Sequence, residues 1–297
     1  MLFPRAANDD GDGLDFVFYY YHPSMAAAVI FIILFGATTA THFWQLLRSR
    51  TWFMIPFLIG GIFETVGYVG RALSAGENPG PYTKIPYIIQ SVLLLLAPAL
   101  FAASVYMHLG RVVMMSEGDH ALFIRRTWMT KIFVGGDVLS FLMQCSGAGF
   151  LVSDDSDQIS MGKNLVLGGL GLQLLFFGFF VVTAAIFQAR LARAPNTASK
   201  NVPWRKHLMS LYAVSILILI RSIVRIVEYQ QGYDGYTMTH EVFIYLFDAL
   251  LMFAAMAIMN WIHPSEVKKI IRGSRRGVTG TEAGESVGMD ARAGMWK

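Results

Sequence analysis

Cysteine is nearly missing from this chain: Cys145 is the only one in 297 residues. That excludes an intramolecular disulfide and a multi-cysteine metal cluster. Charge is scarce too, at 15% Asp, Glu, Lys and Arg, where an ordinary soluble domain carries about 25%. There is no G-x-x-x-x-G-K-[ST] loop, so the chain has no phosphate cradle with which to hydrolyse ATP by itself. It also lacks an Asn-x-Ser/Thr triplet, so its loops offer no N-glycan acceptor. The opening MLFPRAANDDGDGLD is acidic and has no apolar centre. It does not read as a cleavable signal, and the first apolar run is expected to direct insertion.

What fills the chain instead is apolar surface, 55% of residues, with 22 Phe. Seven apolar runs stand out, at 25–47, 52–73, 85–110, 128–152, 164–189, 207–229 and 240–262. Each is long enough to cross a hydrocarbon core about 30 Å thick. The runs are continuously apolar and do not alternate, which favours helices over the short strands of a membrane barrel. The expected fold class is all-α: an integral membrane bundle of seven transmembrane helices.

Lys and Arg set the expected orientation. Eighteen of them, from Arg48 and Arg50 through to the C-terminal tail, fall on one side of the spans; only Arg5, Lys84 and Lys163 fall on the other. The positive-inside rule then puts the N-terminus outside and the C-terminus in the cytosol. The expected organisation is an outer N-terminal segment at 1–22, a membrane domain at 23–264 and a basic cytosolic tail at 265–297. The last 20 residues of that tail are expected to be disordered. The basic run at 268–276 is expected to lie along the anionic inner leaflet.

The spans are not uniformly apolar. Arg71, Arg221 and Arg225 lie inside them, as do Glu64, Asp137, Glu228 and Asp248, with Glu241 at a span end. A charge at the helix centre costs about 2.5–3.5 kcal/mol on insertion scales, so such groups must pair, line a wet cavity or become neutral. Spacing arranges them. Glu64 and Arg71 are seven apart on the second span, with Gly67 and Tyr68 on the same stripe. Arg221, Arg225 and Glu228 share a face of the sixth, Asp137 and Gln144 a face of the fourth, and Glu241 and Asp248 a face of the seventh. Four polar stripes are expected to meet inside the bundle, with Gln90 of the third span beside them. Their groups would lie between the middle of the membrane and its outer side. Five acids face three arginines there, a surplus of two that suits a cationic or amine-bearing ligand. The alternative is a set of helix-to-helix ion pairs that fixes packing. Pro98 in the third span frees a backbone carbonyl and kinks the helix.

Several of these residues also form ordered motifs. They are Tyr21-x-Pro23-Ser24, Glu64-x-x-Gly67-Tyr68-x-x-Arg71, Gln90, Ala97-Pro98-Ala99 and Tyr106-Met107-x-Leu109-Gly110-Arg111. Next come Asp137-x-x-Ser140-x-x-x-Gln144-x-x-Gly147, Gln173, Arg221-x-x-x-Arg225-x-x-Glu228-Tyr229, and His240-Glu241 with Tyr245 and Asp248. Together they resemble the fungal lipid-translocating exporter family, also called RTA-like, over about residues 20–265. The resemblance implies seven helices in a fungal membrane, with members in the plasma membrane and in other endomembranes; the plasma membrane is the expected setting here, an endomembrane the alternative. It also implies efflux of sphingoid-base-like or sterol-like lipids, or resistance to amphiphilic toxicants.

The expected function is therefore transport or translocation of amphiphilic lipids. Glu64, Arg71, Gln90, Asp137, Gln144, Arg225, Glu228 and Asp248 are the candidate substrate-binding residues. The expected partners are membrane lipids and amphiphilic small molecules; no cofactor, catalytic residue or nucleic-acid partner is expected. A seven-helix lipid-responsive sensor is the alternative. A less favoured one is a metal-dependent lipid hydrolase, in which three of His42, His108, His207 and His263, all near one set of span ends, would hold zinc.

Overall fold

The computed structural model describes residues 5–7, 14–16, 23–77, 83–122, 124–150, 156–231 and 241–273. Lipid offers the backbone no hydrogen-bond partner, so each apolar run closes its own bonds as a helix. The helices are α1 (Met25–Ser49), α2 (Ile55–Gly76, after a 3-10 turn at Trp52–Met54), α3 (Lys84–Met115) and α4 (Arg126–Phe150). They continue as α5 (Ser156–Arg193), the short α6 (Thr197–Asn201) and α7 (Trp204–Gln231). The last span, α8, begins with Glu241–Ile244, passes through a π-helical turn at Tyr245–Ala249 and continues as Leu250–Trp261. Residues 265–273 add a final helix, α9. Among the described residues, seven segments are long and apolar enough to cross a membrane. Two three-residue strands, β1 (Arg5–Ala7) and β2 (Leu14–Phe16), pair antiparallel ahead of α1. They are the one departure from an all-helical chain among the described residues. Residues 274–297, which include the last 20 expected to be disordered, lie outside the described residues, as do Tyr21 and His240 of the ordered motifs.

The helices run past the apolar segments because polar residues continue them at the membrane surface. α5 starts at Ser156 rather than 164, with Asp157 in its first turn and Arg190 and Arg193 in its last, the signs that suit the helix dipole at each end. α1 is capped by Ser24, whose Oγ accepts from Ala27 N at 3.4 Å. It ends at Arg50 in the left-handed region, φ 53°.

Successive spans pack as antiparallel hairpins, and α3 is the axis of the bundle, touching α2, α4, α5 and α7. α8 closes the ring between α7 and α1. Half of the apolar window of α3 is buried against 17% of that of α1, so α3 is core and α1 is rim. The rim carries apolar side chains such as Ile33, Ile85 and Leu175, which face outward where lipid would cover them. Inside, Tyr106, Phe133, Phe177 and Phe180 form a ring cluster with centroids 4.6–6.0 Å apart among α3, α4 and α5. α2 comes close to α3 through glycine: a Cβ at Gly70 would stand 2.9 Å from Pro86 O and 3.3 Å from Gln90 N. The end of the bundle where α1, α3 and α8 begin is called the N-end below, and the opposite one the C-end.

Candidate functional site

Three of the four polar stripes meet. Asp248 lies in the π turn of α8, a wider turn that often marks functional positions. It accepts from two arginines of α7: Oδ1 from Arg221 Nε, and Oδ2 from Arg225 Nη2 at 2.5 Å. Arg225 Nη1 also donates to Glu228 Oε2 at 3.2 Å, one turn along the same helix. All four side chains are buried. Arg221 reaches a third helix, its Nη2 donating to Leu94 O of α3 at 2.6 Å. Leu94 stands four residues before Pro98. Proline has no N–H for the carbonyl four positions earlier, and Arg221 supplies the missing donor. The carbonyl that the sequence says is freed is thus part of the site.

Nearer the N-end, Arg71 of α2 is wholly buried and pairs with α8. Its Nη2 donates to Glu241 Oε1 at 2.7 Å and its Nε to Tyr245 OH at 2.9 Å. The Tyr245 hydroxyl donates onward to Glu241 Oε1 at 3.1 Å. Glu241 also accepts from the backbone N of Ser24, at 2.8 and 3.0 Å. Tyr68 stacks between Phe35 and Phe31, and Phe31 stacks on Tyr245, which walls this polar group with rings.

The pairing resolves the charge surplus. Arg71, Arg221 and Arg225 are matched by Glu241, Asp248 and Glu228. Glu64 and Asp137 remain. Glu64 is fully buried on α2, and neither carboxyl oxygen has a hydrogen-bond partner among the described residues. Asp248, Arg221 and Arg225 are the charged groups within its electrostatic reach. An unpaired carboxylate in an apolar interior is expensive; a proton or a cation brought from outside would relieve it.

The fourth stripe faces elsewhere. α4 forms its hairpin with α5 and packs on α3, so its polar face is turned to those two helices. Asp137 Oδ2 accepts from Tyr106 OH at 2.9 Å, while its Oδ1 has no partner among the described residues. Gln144 Nε2 donates to Gln173 Oε1 at 3.1 Å. Gln90 is buried where α3 meets Gly70 of α2. All eight candidate binding residues are therefore interior. Glu64, Arg71, Arg225, Glu228 and Asp248 belong to the seam between α2, α7 and α8, whereas Asp137 and Gln144 make separate polar contacts, with Tyr106 of α3 and Gln173 of α5. The partners Tyr245, Tyr106 and Gln173 appear in the sequence only within the ordered motifs; Tyr245 stands four residues from Glu241, and that spacing is the signal that places it in the site.

The four histidines gather at the C-end, but as pairs. His108 and His207 have ring centroids 5.6 Å apart, and His42 and His263 6.4 Å apart. His42 Nε2 is engaged with Met256 O at 3.2 Å, and His207 Nε2 lies 3.4 Å from Glu266 Oε2. Among the described residues no three His, Cys, Asp or Glu side chains are set to hold a metal ion.

Comparison with known proteins adds the following. A family model described as RTA1 like protein matches residues 57–270. The chain is 38% identical to protoporphyrin uptake protein 1 of Saccharomyces cerevisiae, over 80% of this chain and 88% of that one. It is 29% identical to the probable lipid transporter atnI of Emericella nidulans, over 82% and 66% of the two chains. With the sphingoid long-chain base transporter RSB1 of Saccharomyces cerevisiae it shares 24% identity, over 82% and 72%. No solved structure matches it significantly.

Proposed function

This chain belongs to the RTA1-like family and is a multi-pass integral membrane protein, and from that premise we propose that it moves amphiphilic lipids across its membrane. The observation that carries the reading is Glu64: a wholly buried carboxyl with no hydrogen-bond partner among the described residues, beside a seam in which every other charge is matched. A lipid with an amine headgroup would supply the missing cation, its tail remaining in the bilayer. Asp248, Glu228 and Arg225 form the wall of that subsite, and Arg71 with Glu241 closes it toward the N-end. Asp137, Gln144 and Gln90 would meet the ligand on the far side of α3 or along α2. The relatives named as a lipid transporter and a sphingoid long-chain base transporter support the substrate class. The positive-inside distribution supports an N-end that faces outward, so that loading and release differ across the seam. The plasma membrane is the favoured setting.

The test is flux of a fluorescent long-chain base in liposomes that contain the purified protein. The wild-type protein should accelerate transfer between leaflets. Glu64→Gln should insert and fold yet slow transfer about tenfold or more, the loss of one charged hydrogen bond of about 1.5–3 kcal/mol. Wild-type flux in that variant would sink the assignment of Glu64, and no flux above empty liposomes would sink the function.

A further inference from the structure

At the C-end, far from the seam, three separated stretches of chain enclose a cavity of about 170 Å³ lined by Arg50, Trp52, Phe53, Arg111, Lys268 and Ile271. We propose that this cavity binds a phosphate-bearing anionic headgroup, supplied by a membrane lipid. The inference does not rest on the transport reading.

Charge is the first argument. Three of the six lining side chains are cationic and none is acidic. Arg272 is a fourth cation within electrostatic reach of Lys268, along with Arg50 and Arg111. Neither Arg50 nor Arg111 has a carboxylate partner among the described residues. The acid nearest in sequence to Lys268, Glu266, is taken by Lys206 at 2.8 Å. Like charges gathered without a counterion repel, and a bound anion removes that repulsion.

Geometry is the second. The cations are held in place by contacts that leave them able to bind. Lys268 Nζ is fixed by the carbonyls of Ser49 and Arg50, at 3.1 and 2.5 Å, where α1 ends. The Arg111 guanidinium lies over the Phe53 ring, 5.3 Å from its centroid. A contact with a ring face uses none of the guanidinium's N–H donors, which stay available to grip a phosphate in the bidentate manner that arginine favours. At ~30 Å³ for each water-sized group, the cavity admits between five and six, and a phosphate has four oxygens.

The setting argues for a lipid over a soluble ion. Trp52 is 58% exposed at the cavity, Trp44 is 57% exposed on the same end of α1, and Ile271 lines the wall. Exposed tryptophans mark the headgroup level of a bilayer. An anionic headgroup in the cavity would leave its acyl chains beside apolar side chains. Basic pockets between helix ends recognise phosphorylated headgroups in this way.

The experiment uses the purified full chain in detergent, with native mass spectrometry to count bound lipid. The probes are phosphatidic acid, phosphatidylcholine and inorganic phosphate. Phosphatidic acid should be retained in preference to phosphatidylcholine. Arg50→Gln with Arg111→Gln should weaken its binding about 25-fold, at about fivefold for each charge removed. Arg190→Gln with Arg193→Gln removes the same charge from exposed positions at the end of α5 and should change nothing. Equal loss in the two double variants, or equal retention of the two lipids, overturns the site. Inorganic phosphate should compete only at far higher concentration than phosphatidic acid; equal competition overturns the lipid as the source.

Discussion

The bond between Arg221 and Leu94 O joins a proline in one helix to an arginine in another, 127 residues later than the carbonyl, and it makes a quantitative prediction. Arg221→Met removes a charged donor from the Leu94 carbonyl and one of the two arginines on Asp248. Breaking a buried ion pair from one side costs about 3–5 kcal/mol. Part of that cost is the carbonyl left without a donor, about 1–3 kcal/mol for a buried acceptor. Pro98→Ala changes only that part. An alanine there has an N–H, and a carbonyl oxygen accepts two hydrogen bonds, so Leu94 O is satisfied whether or not Arg221 is present. Arg221→Met should therefore cost about 1–3 kcal/mol less when combined with Pro98→Ala than when made alone. The assay is a double-mutant cycle on unfolding of the four purified proteins, with denaturant or heat in detergent. Costs that add to within about 0.5 kcal/mol would show that the carbonyl does not depend on the arginine, and would refute the reasoning.

Two further outcomes follow from packing and from the second polar contact. Gly70→Ala should destabilise by about 1–3 kcal/mol, because its Cβ would press on the backbone atoms Pro86 O and Gln90 N, which cannot rotate away. Gly36→Ala, with nothing within 4 Å, should be neutral or stabilising in the same thermal assay. Tyr106→Phe removes the donor to Asp137 Oδ2 and should cost about 1–3 kcal/mol in unfolding free energy.

The spans are legible in the sequence because hydrocarbon thickness and backbone hydrogen bonding leave few choices for a continuously apolar run. The polar faces are legible for the same periodic reason: Glu64 and Arg71 share a buried stripe, as do Arg221, Arg225 and Glu228. Partner choice is not. It depends on which helices are neighbours, and α3 stands between α2 and α4, so Asp137 meets Tyr106 and not the arginines. A charge count gives a surplus of two acids, but only the pairing shows that Glu64 is one of them. The π turn is a local change of hydrogen bonding, from i−4 to i−5, that no hydrophobic periodicity records. It sets Tyr245 toward Arg71 and Asp248 toward Arg221 and Arg225. Pro98 announces a free carbonyl, but a donor on a distant span leaves no trace in the local sequence.

α1 is fastened at each end by a residue far along the chain. At its start, the Ser24 amide is held by Glu241; at its end, the carbonyls of Ser49 and Arg50 are held by Lys268. One clasp comes from the start of α8 and the other from α9, each more than 200 residues later in synthesis. Neither clasp can form until its distant partner is made, so only a chain read through to residue 268 can carry both. A nascent protein that stalls in the sixth span has most of its apolar surface and yet lacks both clasps on α1. Those missing clasps are what would distinguish an unfinished copy from a finished one, one at the N-end of the bundle and one at the C-end.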